Sequence, residues 1–357
     1  MGETETTLPA SAAELDATWL SAVLGVPVGG FEVTDIGTGT GIFGEIVRVH
    51  LPDAGPGEPA SVIVKFPTAE PSNRAVGNAL GIYERELRFY QQVLPRSPLR
   101  APRCYYAGAR PEDGLYVLVL EDLSALEMGD QVAGISLERA EAVIDALARL
   151  HAAWWEHPEL DTFDWLPEVD APAYAAVVPD IYRTGLPVLR DRWADAVGGA
   201  AVALAEALAP RFEEIMGRCA IGPRTVIHTD SRLDNLFFGP DGSVTLIDFQ
   251  LALRGRGVSD VAYLLGSSME PELAARHWEM LLRRYHDALL AAGVEGYPFA
   301  QCRDDYLEHV LYYLCSPMSL IATFDTGNER GAALTRAFTT RFFRHAVDCG
   351  AAGALER

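Results

Sequence analysis

The chain has 357 residues, of which 49% are hydrophobic and 22% charged, the profile of a folded globular protein with room for two cores. Its formal net charge of −21 argues against a nucleic-acid partner, because phosphate binding needs a basic face. The five cysteines are widely spaced without a C-x-x-C pair, which disfavours a disulfide framework or a zinc site. The acidic start lacks a signal pattern, and no apolar run is long enough to span a bilayer. The expected protein is cytoplasmic, has no membrane partner, and is a monomer or weak dimer.

The first third of the chain alternates between β-rich runs and helical segments. Ser11 to Glu14 reads as a capping box, which predicts a helix ending at Gly25. Five β-rich runs predict an antiparallel sheet, and apolar residues at helical spacing predict a helix over 81–94. These runs cover residues 31–36, 45–51, 61–66, 104–108 and 115–123.

Between the first two predicted strands lies the glycine cluster GTGTGIFG, with Gly39, Gly41 and Gly44 at G-x-G-x-x-G spacing. Glycine lets backbone N–H groups approach phosphate oxygens closely. A dinucleotide-binding fingerprint requires a helix after the third glycine, but an alternating strand pattern follows here. The context therefore favours a kinase-type loop that covers nucleotide phosphates, and a plain glycine-rich hairpin turn is the alternative.

The third predicted strand contains Lys65, the only lysine of the protein. A lysine on this strand is placed to reach the α- and β-phosphates of a nucleotide and needs a carboxylate to hold it. Glu86 in the 81–94 helix is the first candidate and Glu84 the second. A surface lysine on an edge strand is the alternative, but arginine supplies every other basic side chain in this sequence.

Beyond Asp122 the sequence predicts helices almost throughout, interrupted by one hairpin near 236–247. The expected fold class is therefore α+β in two lobes. We place a nucleotide-binding lobe at residues 1–122 and a helical lobe at 123–357, with the second lobe carrying the catalytic loop and the substrate pocket.

The stretch 226–250 contains the pattern His-x-Asp-x-x-x-x-Asn, followed thirteen residues later by an aspartate. The intervening hairpin is expected to bring Asn235 and Asp248 together as oxygen ligands of Mg²⁺. Asp230 is then the candidate general base for a substrate hydroxyl. Arg232 is placed to offset charge on a transferring phosphoryl group, and His228 is expected to brace the loop.

This pattern resembles the aminoglycoside phosphotransferase and choline kinase superfamily, small-molecule kinases that share the protein-kinase fold. The segments LVLEDL (118–123), LARLHAAWW (147–155) and GRGVSDVAYLL (255–265) resemble its ecdysteroid kinase-like branch. The resemblance implies that Leu120 to Leu123 form a hinge, where backbone groups of Glu121 and Leu123 bind adenine. It also implies that Asp260 braces the catalytic loop, although the sequence alone equally allows a helix cap there.

The sequence departs from protein kinases in ways that bear on the substrate. Asp248 is followed by Phe-Gln rather than Phe-Gly, and too few residues separate Asp248 from Gly255 for an activation loop. The expected activity is therefore transfer of the γ-phosphate of ATP, with GTP as the alternative donor, to a hydroxyl of a small molecule. The acceptor is either an antibiotic, which would make this a resistance enzyme, or a metabolite such as an amino alcohol or sugar. A nucleotide-binding pseudokinase is the less favoured alternative.

Two features bear on the acceptor without deciding it. Residues 123–200 contain fourteen acids and five arginines, which suits either a cationic acceptor or a solvated acidic surface. Aromatic residues in the later helices either line a wider pocket or belong to the core. These are Trp278, Tyr306, Tyr312 and Tyr313.

Overall fold

The computed structural model describes residues 8–36, 43–323 and 329–357. The chain forms two compact units. The sheet unit comprises the chain up to Arg96 together with Ala101–Leu126 and Ile247–Leu251, and the helical unit comprises Ser97–Arg100, Glu127–Leu246 and Ala252–Arg357. The predicted α+β fold class is confirmed.

The sheet unit contains a five-stranded antiparallel sheet in the order β1-β2-β3-β5-β4. All five β-rich runs of the sequence are confirmed as its strands. They are β1 (Glu32–Asp35), β2 (Gly44–His50), β3 (Ser61–Pro67), β4 (Cys104–Arg110) and β5 (Leu115–Glu121).

Side-chain alternation along β3 determines which face of the sheet carries Lys65. Val62, Val64 and Phe66 are buried in the hydrophobic core that also contains Trp19 of helix α1 (Ala17–Leu24). Successive strand residues point to opposite faces, so Lys65 lies on the face away from that core. A one-residue shift of register would turn Lys65 into the core, and the apolar pattern therefore fixes its position.

The helices of the sheet unit differ in part from the prediction. The capping box predicted at Ser11 is wrong, because residues Ala12–Glu14 form only a short 3₁₀ turn and the Ser11 side chain makes no capping bond. Helix α1 instead begins after Asp16, whose Oδ1 accepts the Trp19 N–H at 2.8 Å. It ends at Gly25 as predicted, with a left-handed φ of 70°. Two further helices follow β3, namely α2 (Pro71–Ala79) and α3 (Ile82–Arg88), the latter continued by a π-helical turn.

The helical unit is built around α10, in which every residue from Val258 to Ser268 is buried. A helix that is buried all round needs neighbours on every side, and α4, α11, α12 and α14 pack against it. The helices of this unit are α4 (Leu137–Trp154), α5 (Pro172–Ala175), α6 (Val178–Val188), α7 (Ala194–Val197), α8 (Gly199–Leu208), α9 (Phe212–Cys219), α10 (Val258–Ser268), α11 (Pro271–Ala291), α12 (Phe299–Tyr312), α13 (Cys315–Thr323) and α14 (Glu329–Asp348).

Five short strands also belong to the helical unit. They are β6 (Glu127–Met128), β7 (Thr225–Ile227), β8 (Leu236–Phe238), β9 (Val244–Leu246) and β10 (Leu253–Gly255). The predicted hairpin is confirmed as β8 and β9, joined by the turn after Phe238. The expectation that it alone interrupts the helices is wrong, because β6 pairs with β8 and β7 pairs with β10.

Across the three described ranges, none of the helices combines the length and the apolar character needed to cross a lipid bilayer.

A buried histidine on α14 makes the stability of the helical unit sensitive to acid. His345 is 1% exposed, and its Nε2 lies 2.6 Å from the Tyr306 hydroxyl on α12. Burial lowers the pKa of His345 to about 4, because the charged imidazolium would lose its hydration. The unfolded chain therefore takes up a proton at a higher pH than the folded protein does.

We predict that His345 contributes to acid denaturation. Its stabilising contribution is complete above the ordinary histidine pKa near 6.5 and is lost as the pH falls towards 4, by about 3 kcal/mol in total. His345→Gln keeps a polar partner for Tyr306 but cannot be protonated. Its free energy of unfolding, measured by denaturant titration, should therefore fall less between pH 7 and pH 4.5 than that of the wild type. Equal losses in the two proteins would contradict the prediction.

Candidate active site

The sheet unit pairs Lys65 with Glu86. The Nζ atom of Lys65 on β3 lies 2.6 and 2.8 Å from the two carboxylate oxygens of Glu86 on α3. Both side chains are largely buried, with 17% and 7% of their surface exposed. Glu84, the second candidate in the sequence, instead pairs with Arg88 one helical turn along. The ammonium group of Lys65 therefore makes a bidentate contact with Glu86, which limits rotation of the lysine side chain.

Asp248 is the third charged residue beside Lys65. Its Oδ1 lies 3.6 Å from Lys65 Nζ, is buried, and accepts no hydrogen bond from any residue in the described ranges. Asp248 also has a φ of 66°, a left-handed conformation that costs energy for a residue with a side chain. A buried carboxylate oxygen without a donor is a suitable ligand for a hard cation such as Mg²⁺.

The charges of this cluster explain the protonation state of Lys65. Burial disfavours the ammonium form, but the neighbouring charges of Asp248 and Glu86 together outweigh that effect and raise the pKa of Lys65 above its ordinary value. Lys65 therefore remains a cation at physiological pH. One ammonium between two carboxylates leaves the cluster with excess negative charge, which favours the approach of a further cation.

Helix α3 and the turn after it hold the residues that follow Asp248. Phe249 stacks on Phe89 with ring centroids 4.1 Å apart and meets Tyr90 edge to face. Arg85, which is 2% exposed, donates to the Gln250 carbonyl at 3.0 Å. The same helix therefore positions Glu86 and supports the segment carrying Asp248. Sequence reasoning missed Arg85, because nothing in the pattern YERELRFY distinguishes it from a surface arginine.

The predicted adenine-binding residues lie at the end of β5. The Glu121 N–H already donates to the Arg103 carbonyl at 2.8 Å, and the Leu123 carbonyl accepts from Leu126 N–H at 2.8 Å. The Leu123 N–H has no hydrogen-bond partner within the described part of the chain. Of the two N–H groups, that of Leu123 is therefore the one not already used, while the Leu123 carbonyl keeps a second lone pair.

Asp122, between the two predicted residues, fixes this segment to the sheet. It accepts from Arg48 Nε at 2.7 Å, from Ser61 Oγ at 2.6 Å and from Ser124 N–H at 3.0 Å. Burial would raise the pKa of Asp122, but these hydrogen bonds outweigh it and lower the pKa. Sequence reasoning did not single out Arg48 or Asp122.

Two of the three predicted loop glycines, Gly39 and Gly41, lie outside the described residues. Gly44 is the first residue of β2 and lies opposite Pro67 of β3. The loop between β1 and β2 therefore ends two strand positions from Ile46, which lies opposite Lys65.

In the helical unit, the loop 228–235 follows β7 and is shaped by Asp260 of α10. The two oxygens of the buried Asp260 carboxylate accept the backbone N–H groups of His228 and Thr229, each at 2.7 Å. Thr229 has a φ of 65°, which is uncommon for a β-branched residue. The predicted bracing role of Asp260 is confirmed, whereas the alternative cap position is occupied by Gly257.

Asp260 is supported in turn by a buried histidine. His151 Nε2 lies 3.1 Å from Asp260 Oδ2, and the other ring nitrogen lies 2.9 Å from the Tyr285 hydroxyl. Burial by itself raises the pKa of Asp260, but the hydrogen bond and charge of His151 outweigh it, with a smaller effect of His228, and the pKa is lowered. The brace therefore stays ionised.

The loop places Asp230 among three polar side chains. Asn235 Nδ2 donates to Asp230 Oδ2 at 3.0 Å and to the Asp230 carbonyl at 2.9 Å. Arg232 Nε lies 3.4 Å from the same carboxylate oxygen. The Tyr263 hydroxyl donates to the other oxygen, Oδ1, at 2.7 Å. Tyr263 was missed in the sequence, where it contributed only to a family-like segment.

The far end of the loop is held by Gln131, another residue that sequence reasoning missed. Gln131 is fully buried, and its side-chain Oε1 accepts the Leu233 N–H at 2.7 Å. Its backbone N–H donates to Asp234 Oδ1 at 3.2 Å. Arg341 of α14 donates to the Gln131 carbonyl. No sequence signal marks Gln131, because its partners are at least one hundred residues away.

No group of three or more histidine, cysteine, aspartate or glutamate side chains arranged to hold a metal is found in the described residues.

Solved structures with the same fold are known at low sequence identity. A Ralstonia eutropha protein assigned provisionally to the aminoglycoside phosphotransferases is 14% identical, with a TM-score of 0.57 over 94% of this chain and 97% of that one. A microcompartment-associated aminopropanol kinase is 14% identical, with a TM-score of 0.54 over 91% and 95%. The GDP and kanamycin complex of APH(2")-IIIa is 13% identical, with a TM-score of 0.52 over 85% and 91%. These similarities show the fold.

No curated protein matches the sequence. The model of the ecdysteroid kinase-like family matches residues 39–293, well over half of the chain. The matched range contains Lys65, Glu86, Asp230, Asn235 and Asp248. The chain therefore belongs to the ecdysteroid kinase-like family of small-molecule kinases.

Proposed function

We propose that the protein transfers the γ-phosphate of ATP, or of GTP as the alternative donor, to a hydroxyl group of a small molecule. The observation that carries the proposal is the cluster of Lys65, Glu86 and Asp248. It combines a fixed ammonium with a buried carboxylate oxygen that lacks a donor. Such a pair suits a nucleotide whose phosphates bring their own divalent cation.

In this proposal, Lys65 binds the α- and β-phosphates and Glu86 keeps the ammonium pointed at them. Asp248 and Asn235 are the proposed protein ligands of Mg²⁺, which would neutralise charge on the β- and γ-phosphates when bound. Adenine would accept a hydrogen bond from the Leu123 N–H, next to the proposed contact with Glu121. The loop containing Gly39, Gly41 and Gly44 would cover the phosphates.

Asp230 is the proposed general base. The acceptor oxygen forms a bond to the γ-phosphorus while the bond from that phosphorus to the β,γ-bridging oxygen breaks, and ADP leaves. The acceptor proton passes to the Asp230 carboxylate. The contacts with Asn235 and Tyr263 support this role, because they hold the carboxylate without occupying all of its lone pairs. Arg232, close to Asp230, would offset charge on the phosphoryl group.

The structural neighbours and the charge of the segment 123–200 bear on the class of the acceptor. We favour a hydroxyl-bearing antibiotic, with an amino alcohol or sugar metabolite as the alternative, since the structural neighbours include an aminopropanol kinase and a kanamycin complex. The acid-rich segment 123–200 adds little support for a cationic acceptor, because eight of its fourteen acids form ion pairs with arginine. These are Glu127, Asp130, Glu141, Asp145, Asp161, Glu168, Asp180 and Asp191.

We predict that the purified protein releases ADP only when a suitable hydroxyl compound is present. A coupled ADP-release assay over aminoglycosides, macrolides, nucleosides, sugars and amino alcohols would identify the class, and mass spectrometry should find one added phosphate on the acceptor. Labelled phosphate appearing on protein substrates instead would contradict a small-molecule activity. Binding of nucleotide without transfer to any compound would favour the pseudokinase alternative.

We predict that Asp230→Asn lowers the transfer rate by about 10²- to 10⁴-fold, the usual contribution of a general base. The amide keeps an acceptor for Tyr263 but cannot take the substrate proton. The dissociation constant for ATP, measured by calorimetry, should change by less than about threefold, because Asp230 is assigned to the acceptor. A variant that retains full turnover would rule out Asp230 as the base.

For Lys65, we predict that the shape of the cation matters as well as its charge. Lys65→Ala should lower the rate by about 10²-fold or more, since it removes a preorganised contact to phosphate. Lys65→Arg keeps the charge but replaces a point charge with a planar fork, and it should recover only part of the activity. Arg88→Ala, which breaks the neighbouring pair with Glu84, is the control and should retain activity. Wild-type rates for Lys65→Ala would exclude the proposed nucleotide role.

A further inference from the structure

We propose that Tyr263 is a positioning residue for phosphoryl transfer, and that its hydroxyl fixes the rotation of the Asp230 carboxylate. This inference rests on the proposed function, in which Asp230 receives the acceptor proton. It assigns a role to a residue of α10 that lies outside the His-x-Asp-x-x-x-x-Asn pattern.

The hydrogen bonds of Asp230 show why a second anchor matters. Asn235 holds Oδ2 at 3.0 Å, and Tyr263 holds Oδ1 at 2.7 Å. With one anchor, the carboxylate could turn about its Cβ–Cγ bond, since this torsion has broad minima. With both oxygens bonded, the plane is fixed, and each oxygen keeps lone-pair capacity for the acceptor hydroxyl. Tyr263 therefore determines the direction in which the base presents its lone pairs.

Tyr263 is itself held rigidly enough to serve as an anchor. Its side chain is buried, and its ring lies edge to face with Tyr313, with centroids 4.9 Å apart, and with Phe342 at 5.6 Å. Burial and the nearby charge of Asp230 raise the pKa of Tyr263 well above its ordinary value. The hydroxyl thus keeps its proton and acts as a donor throughout the working pH range.

The ring and the hydroxyl of Tyr263 have separable roles. The ring packs against aromatic neighbours, and phenylalanine would preserve those contacts. The hydroxyl makes its hydrogen bond to Asp230. If the residue served packing alone, the loss of the hydroxyl would have no effect on catalysis. Geometric control of a base, in contrast, is worth one to two orders of magnitude when it is lost.

The test compares Tyr263→Phe with Tyr313→Phe. Tyr313 is the matched control, because its hydroxyl is also buried in the same aromatic cluster but bonds to Ser259 Oγ at 2.7 Å rather than to Asp230. Each variant is assayed for kcat and for the KM of nucleotide and acceptor, and its thermal midpoint is measured. Tyr263→Phe should lower kcat by about 10- to 100-fold with both KM values within about threefold of the wild type. Tyr313→Phe should leave kcat within about twofold.

Two results would overturn the inference. One is a Tyr263→Phe variant with the kcat of the wild type, which would reduce Tyr263 to a packing residue. The other is an equal loss of kcat and of thermal midpoint in both variants, which would indicate a general structural effect. The failure of the proposed function is distinct, since it would appear as a wild-type protein that transfers no phosphate.

Discussion

The hydrogen bonds that the buried Asp260 carboxylate accepts determine the backbone conformation of the loop that carries Asp230. A residue such as Thr229 in the left-handed region costs about 1–3 kcal/mol. Each hydrogen bond to a charged group contributes about 1.5–3 kcal/mol, and Asp260 accepts two from the adjacent backbone N–H groups. The two hydrogen bonds outweigh the cost of the left-handed conformation. The orientation of Asp230 therefore depends on a residue thirty positions later in the chain.

The sheet unit also contains a residue in a left-handed conformation that is held by its neighbours. Asp248 itself is in the left-handed region, and the stacking of Phe249 on Phe89 holds the chain that leaves it. In both units, an acid with a proposed role stands at or next to a strained residue, and a neighbouring helix contacts the same segment. Such strain persists only where the surroundings over-determine the conformation. In the proposed function, such backbone constraint would reduce the reorganisation required during phosphoryl transfer.

The parts of the structure that the sequence predicts well are those governed by local patterns. The five strands of the sheet follow from runs of β-forming residues, and the β8–β9 hairpin follows from its turn residues. Glu86 was singled out because its place on α3 follows from helical spacing. The parts that escaped prediction depend on partners distant in sequence. Two short segments pair as β7 and β10 only within the folded unit, and Tyr263 and Gln131 acquire their roles through contacts more than thirty residues away. The sequence offers Ser11 as a helix cap, but Asp16 caps α1 instead, because α1 begins where Trp19 and Leu20 reach the core.

The division of the chain has a consequence for biosynthesis. The sheet unit includes Ile247–Leu251, which the ribosome makes about 120 residues after Leu126. Until then Phe89 lacks its stacking partner Phe249, and the buried Arg85 lacks the Gln250 carbonyl. A nascent chain that has completed β5 therefore contains all five strands of the sheet but lacks Asp248 of the charge cluster. Lys65, Glu86 and Asp248 come together only after the loop bearing Asp230 has been synthesised, so a product that stops before Ile247 lacks the acid that completes the cluster.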